Sequence, residues 1–143
     1  MTPSDPQGID CVWLAIDQDG RVGAFFTGGE GPIPSSALSA AIADPALEGE
    51  LETLPVIATT QMLVDYKRPD SFIAMGQRGL YVFDWRDVHQ TSTNLTNKYS
   101  LVCEPSAYLR LEELPPHLKA IAGNTRLGNT NYAGCRTSGL NVC

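Results

Sequence analysis

Two apolar runs open the chain. Residues 10–16 (Asp-Cys-Val-Trp-Leu-Ala-Ile) and residues 21–27 (Arg-Val-Gly-Ala-Phe-Phe-Thr) flank the tetrapeptide Asp17-Gln18-Asp19-Gly20. Turn-forming residues ending in glycine, set between two such runs, predict a β-hairpin. Neither run alternates with polar positions. Both strands are therefore expected in the centre of a sheet covered on each face.

A loop rich in glycine and proline, from Gly28 to Pro34, comes next. Leu38, Ala41 and Ile42 then recur at helical spacing, with Ser35 or Ser36 placed to cap the helix. Asp44-Pro45 ends that helix and opens another, as cap and first residue. Leu47, Leu51 and Leu54 share one face of the second helix; Glu48, Glu50 and Glu52 fall between them and are expected to face water. Residues 56–66 fit either helix or strand, and helix is the expectation. A loop at residues 67–70 leads into a short turn through Phe72 and Met75.

Gly79 opens a strand in which Tyr81, Phe83 and Trp85 alternate onto one face. Residues 87–98 read as a polar loop, 99–103 as a strand, and 108–111 as a further strand. Residues 115–122 form a short helix, with Leu114, Leu118, Ile121 and Ala122 on one face and Gly123 as the C′ residue. The tail beyond Asn124 adds an edge strand near residues 125–127. These elements sum to one α+β domain over residues 1–143. It has a mostly antiparallel sheet of about five strands and two to three helices packed on it. The core is expected within about residues 9–123, with 124–143 as an Asn/Gly-rich tail.

Composition limits the function classes. The chain has 143 residues, is 43% apolar and 18% charged, and carries a net charge of −6. Such a chain builds its own core, burying roughly two thirds of its extended surface. An acidic chain is a poor phosphate neutraliser, so no nucleic acid is expected as partner. No apolar run is long enough to span a membrane. The segment from Met1 to Pro6 lacks the basic and apolar regions of a signal peptide, so a cytoplasmic location is expected. The charge is uneven. Residues 1–65 hold ten acids and one base, and residues 66–143 hold six acids and nine bases, a split of −9 against +3.

Candidate chemistry is sparse. The loop from Gly28 to Gly31 lies between strand and helix, where phosphate loops occur. It lacks the third glycine and the Lys-Ser/Thr pair, and Glu30 puts negative charge where phosphate would lie. Asp17-x-Asp19-Gly20 opens like a calcium loop, but Arg21 and Gly28 then stand where ligands are required. His89, near Asp84 and Asp87, reads as a surface residue, and His117 as a solvated helix residue. The four cysteines, Cys11, Cys103, Cys135 and Cys143, contain no Cys-x-x-Cys. Cys11 and Cys103 read as small buried apolar residues, and Cys135 and Cys143 pair only if oxidised. No catalytic residue, metal or cofactor is expected. Trp13, Phe25, Phe26, Tyr81, Phe83 and Trp85 read as core, with a ligand pocket as the alternative.

The stretch from Asp10 to Pro34, the segment Arg78-Gly79-Leu80-Tyr81-Val82-Phe83-Asp84-Trp85, Tyr99-Ser100-Leu101-Val102 and the Leu114-Pro115 helix together carry a resemblance over roughly residues 9–123. They resemble small, acidic, largely uncharacterised bacterial proteins, some of which look like immunity proteins of polymorphic toxin systems. The resemblance implies a non-enzymatic protein that neutralises a basic toxin. Glu30, Asp44, Glu48, Glu50 and Glu52 are the candidate contact residues, since an acidic face complements a basic active site. Two other readings stand beside it. One is a small-molecule-binding domain or enzyme using the Gly28-to-Gly31 loop and the aromatic strands. The other is a homodimer paired through an exposed strand.

Overall fold

The hairpin forms where its turn residues place it. In a computed structural model, which describes residues 11–28, 31–43, 46–86 and 98–135, β1 (Val12–Ile16) pairs antiparallel with β2 (Val22–Phe26). Asp17 N–H donates to the Arg21 carbonyl at 3.1 Å, and Gly20 N–H to the Asp17 carbonyl at 3.1 Å. Gly20 has φ 80°, a left-handed conformation that only glycine adopts readily.

Helix α1 (Ser35–Ala43) and helix α2 (Leu47–Glu52) follow, then β3 (Thr60–Met62), α3 (Asp70–Gln77), β4 (Tyr81–Arg86), β5 (Lys98–Pro105) and α4 (Pro116–Gly123). Among the described residues the five strands form one sheet in the order β1-β2-β4-β5-β3. Three of its pairings are antiparallel, and β2 with β4 is parallel. The domain is thus α+β with a mostly antiparallel sheet, as the pattern predicts. The parallel pair comes from the return path: α1, α2, β3 and α3 carry the chain from β2 back alongside it.

Side-chain alternation splits the core between the two faces. Leu14, Ile16, Val22, Ala24, Val82 and Val102 pack beneath α2, α3 and α4 with Leu47, Leu51, Met75 and Leu118. Trp13, Phe25, Phe83, Tyr99 and Leu101 form the other layer with Ala37 of α1 and Tyr132. Every residue of β1 and β2 is buried, as the unbroken apolar runs imply. β2 lies inside the sheet between β1 and β4, as expected, but β1 does not. β1 ends the strand order; α1, α2 and α4 pack on it, and residues 125–130 bond to the C-terminal end of its free side. Ile16 N–H donates to the Thr125 carbonyl at 3.0 Å, Leu127 N–H to the Ile16 carbonyl at 2.8 Å, and Gln18 N–H to the Thr130 carbonyl at 2.9 Å. The expected edge strand near residues 125–127 is a single parallel bridge, Ile16 with Arg126.

Several other expectations are corrected. Residues 56–66 hold no helix; the chain bends at 63–64, and residues 60–62 are extended as β3. The β-branched Val56, Ile57, Thr59 and Thr60 favour that conformation, and β3 finds a partner in β5 far along the chain. The turn through Phe72 and Met75 is a full helix, α3. Gly76 weakens the helical pattern there, yet glycine is required: a Cβ at Gly76 would strike both Thr60 and Cys103. Residues 108–111 form only a bridge from Arg110 to Arg21 before a 3₁₀ turn at Leu111–Glu113. Their hydrogen bonds go to two different segments, Leu109 N–H to Gly79 at 2.8 Å and Leu111 N–H to Gly20 at 3.1 Å. Helix α1 starts at Ser35, so the serines lie inside it; Ser36 Oγ instead meets Thr125 Oγ1 at 2.8 Å. Gly123 is inside α4, which ends on Asn124 in a right-handed conformation at φ −76°. The core also reaches past residue 123, because Tyr132 is fully buried.

Candidate functional site

Helix α2 is the element around which the predicted acidic surface is built. It has six residues, too few to persist alone. Leu47 and Leu51 hold it against the core at 2% and 0% exposure, and Leu54 follows at 8%. Glu48, Glu50 and Glu52 lie half-buried beside this leucine stripe rather than fully in water. At 100° per residue, Glu48 and Glu52 share one flank and Glu50 falls on the other. Glu50 Oε2 accordingly lies 3.6 Å from His117 Nε2 on α4. The structure therefore brings Glu48 and Glu52 together and turns Glu50 towards α4. Glu30 and Asp44 lie outside the described residues, as does His89.

Arg78 fixes the far end of the helix. Its guanidinium donates from Nη2 to the Glu52 carbonyl at 2.8 Å, from Nε to the Leu54 carbonyl at 3.2 Å and from Nη1 to the Ala74 carbonyl at 3.0 Å. One cation thus satisfies carbonyls at the C-terminal ends of both α2 and α3, where the helix dipole favours positive charge. Sequence reading missed this role. A lone arginine one residue after a helical segment was the available signal.

Asp17 is more than a turn former. The residue is 4% exposed, and its carboxylate accepts from the backbone N–H groups of Asp19 and Arg21, each at 2.9 Å, and from Tyr132 N–H at 2.9 Å. Arg21 Nη1 donates to it at 3.2 Å and to Asp19 at 2.8 Å. Burial alone would lower the Arg21 pKa, but the Asp19 and Asp17 carboxylates more than offset this and raise it. The guanidinium also stacks 4.7 Å from the Tyr108 ring centroid. In Asp17-x-Asp19-Gly20, which opens like a calcium loop, the Asp17 oxygens are taken up by backbone donors and Arg21, and the exposed Asp19 carboxylate pairs with Arg21. Among the described residues no group of three His, Cys, Asp or Glu converges as a metal site.

The aromatic strand residues are mostly packing. Trp13 stacks on Phe25 at 4.1 Å between centroids, and Phe25 on Phe83 at 4.6 Å. Trp13 Nε1 donates to Tyr99 Oη at 3.1 Å, and Tyr99 Oη donates to the Pro32 carbonyl at 2.9 Å. A Cβ on Gly31 would collide with Tyr99 and Trp85, so Gly31 sits directly on the core, whereas Gly28 is exposed with open space around it. A pocket of about 170 Å³ opens at residues 59–61 and 104–106, lined by none of these aromatic or loop residues.

The buried nucleophilic groups are held protonated. Burial raises the Cys103 thiol, which is also bonded to Thr60, and burial with Asp17 raises the Cys135 thiol. Burial raises the Tyr81 phenol and pushes that of Tyr132 well above its usual range. Cys103 and Cys135 are buried and Cys11 is half-buried, and all three are free thiols. Cys143 lies outside the described residues. Among the described residues no helix is long and apolar enough to cross a membrane.

No protein-family model, curated protein or solved structure matches this chain.

Proposed function

We propose that this domain is a non-enzymatic binding protein whose acidic surface around α2 docks a basic partner protein. The toxin-neutralising role implied by the sequence resemblance is the specific form of that proposal. The supporting observation is the seating of α2. Leu47 and Leu51 are buried, Arg78 holds the helix end, and Glu48 and Glu52 sit half-exposed on one flank. A helix fixed in this way loses little backbone freedom when a cationic surface meets its carboxylates. They also raise the association rate with a basic partner, which is how acidic inhibitors cover cationic active sites. The filled core under Gly31 favours this reading over a small-molecule site in the glycine loop.

The test uses the purified product of the neighbouring reading frame as probe. Association rates are measured against ionic strength for the native chain and for Glu48→Lys/Glu50→Lys/Glu52→Lys. The native chain should bind faster at low salt, and the triple variant should bind more slowly with a flatter salt dependence. Binding unchanged by the triple substitution would overturn the assignment of this surface.

A further inference from the structure

Three consecutive apolar residues, Pro55, Val56 and Ile57, all face solvent. Val56 is 60% and Ile57 43% exposed, although the leucines just before them, Leu51 and Leu54, are buried. Single exposed apolar residues are ordinary, but three in a row mark a contact surface.

The run is held firmly. Ile57 N–H and Ala58 N–H both donate to the Gln77 carbonyl, at 2.9 and 3.1 Å. Arg78, the next residue, donates to the carbonyls of Glu52 and Leu54 on the other side of the run. The tip of Ile57 rests over Gly79, where a Cβ would lie 2.8 Å from Ile57 Cδ1. The backbone is thus tied at both ends while its side chains stay displayed, so little conformational entropy opposes a contact there. Val56 follows Glu52 by four residues, which separates them by at most about 14 Å. A standard interface covers about 800 Å² of each partner, a patch roughly 30 Å across, so one partner can span both.

We propose that Pro55, Val56 and Ile57 are the apolar anchor of the docking surface on α2, and that the partner is a basic protein surface whose lysines or arginines border an apolar cleft. This inference rests on the acidic reading of α2 given above. Charge selects the occupant. A second copy would bring Glu48 and Glu52 against their like, in a chain of net charge −6. An anionic lipid surface or a phosphate backbone is repelled in the same way. A cationic protein is attracted by the flanking carboxylates and retained by the anchor, an apolar centre beside a charged rim. The two parts divide the kinetics: the carboxylates act on the association rate, and Val56 and Ile57 on dissociation.

The test titrates the whole chain with two short lysine-rich peptides of equal length and charge, one carrying two leucines at its centre and the other two serines. At low salt both should bind, the leucine peptide about tenfold more tightly. Val56→Ser/Ile57→Thr should remove that advantage and leave binding of the serine peptide unchanged. Val56→Ser alone, at the more exposed position, should remove part of it without altering the melting temperature. Glu48→Gln/Glu52→Gln should weaken both peptides by the same factor and flatten their salt dependence. Equal binding of the two peptides, or a leucine advantage that survives in both Val56 variants, would overturn the anchor and leave the acidic surface standing. Failure of both peptides to bind at low salt would overturn the acidic surface itself, and the anchor with it. Self-association of the native chain that Val56→Ser abolishes would make a second copy the occupant and so refute a basic partner at this run.

Discussion

The backbone amide of Tyr132 donates to the Asp17 carboxylate at 2.9 Å, across 115 positions of sequence. The Tyr132 hydroxyl donates to the Ala15 carbonyl at 2.8 Å, so backbone and side chain of one residue both tie to the first hairpin. The ring fills the space left by Gly23, where a Cβ would lie 2.8 Å from Tyr132 Cε2.

Replacing Asp17 by alanine removes an acceptor shared by the backbone N–H groups of exposed Asp19, half-buried Arg21 and buried Tyr132, and by the Arg21 guanidinium. Leaving such donors unpaired costs about 3 kcal/mol. Asp17→Asn keeps one accepting oxygen and should cost about half as much. Urea unfolding midpoints, read at constant m, order the two variants.

Tyr132 makes stability depend on alkaline pH. Its folded pKa is raised, mainly by burial, and Tyr81 is shifted the same way. Above pH of about 10 the unfolded chain loses phenolic protons that the folded chain keeps. The contribution is full below that pH and declines above it, by up to about 1.4 kcal/mol per pH unit for each such tyrosine. Tyr132→Phe should flatten the decline and cost about 1 kcal/mol at neutral pH through the lost bond to Ala15. Thermal melts at several pH values between neutral and strongly alkaline measure both effects.

Arg78→Met keeps the aliphatic stem and removes the cation. The carbonyls of Glu52, Leu54 and Ala74 then lose their charged donor, a loss of about 2 kcal/mol. Hydrogen exchange should accelerate first in α2, whose six residues have little intrinsic helical stability.

Gly31→Ala tests whether the glycine loop is seated on the core. The added methyl meets the Tyr99 ring and Trp85 Cβ, and a strained insertion of this kind costs about 2 kcal/mol. Near-ultraviolet circular dichroism should change as Tyr99 is displaced from Trp13. An unperturbed spectrum and melting temperature would show that the loop yields without disturbing the core.

The elements readable from sequence are those with a local cause. The hairpin follows from Asp17 to Gly20, and α2 from the spacing of Leu47, Leu51 and Leu54. The burial of β1 and β2 follows from runs with no polar break. Misreadings occur where a distant partner decides. β3 is a strand because β5 accepts it, although Gln61 and Glu104 are 43 residues apart. Helix α3 contains Gly76 because Thr60 and Cys103 leave no room for a side chain. Of the candidate acidic residues, the placement of Glu48, Glu50 and Glu52 on one helix was legible; their division between two flanks and the Arg78 clamp were not. Tyr132 was hidden in a stretch rich in asparagine and glycine, whose composition says nothing about the buried carboxylate it meets.

The link between Asp17 and Tyr132 also sets an order of events at the ribosome. Asp17 leaves the tunnel long before Tyr132 is made. At typical elongation rates, synthesis of the intervening 115 residues takes on the order of ten seconds. Throughout that interval the β1 border and the carboxylate lack the segment that covers them. The nascent hairpin is therefore open to holding chaperones until Tyr132 has emerged, and the segment that completes it docks last on the hairpin that was made first.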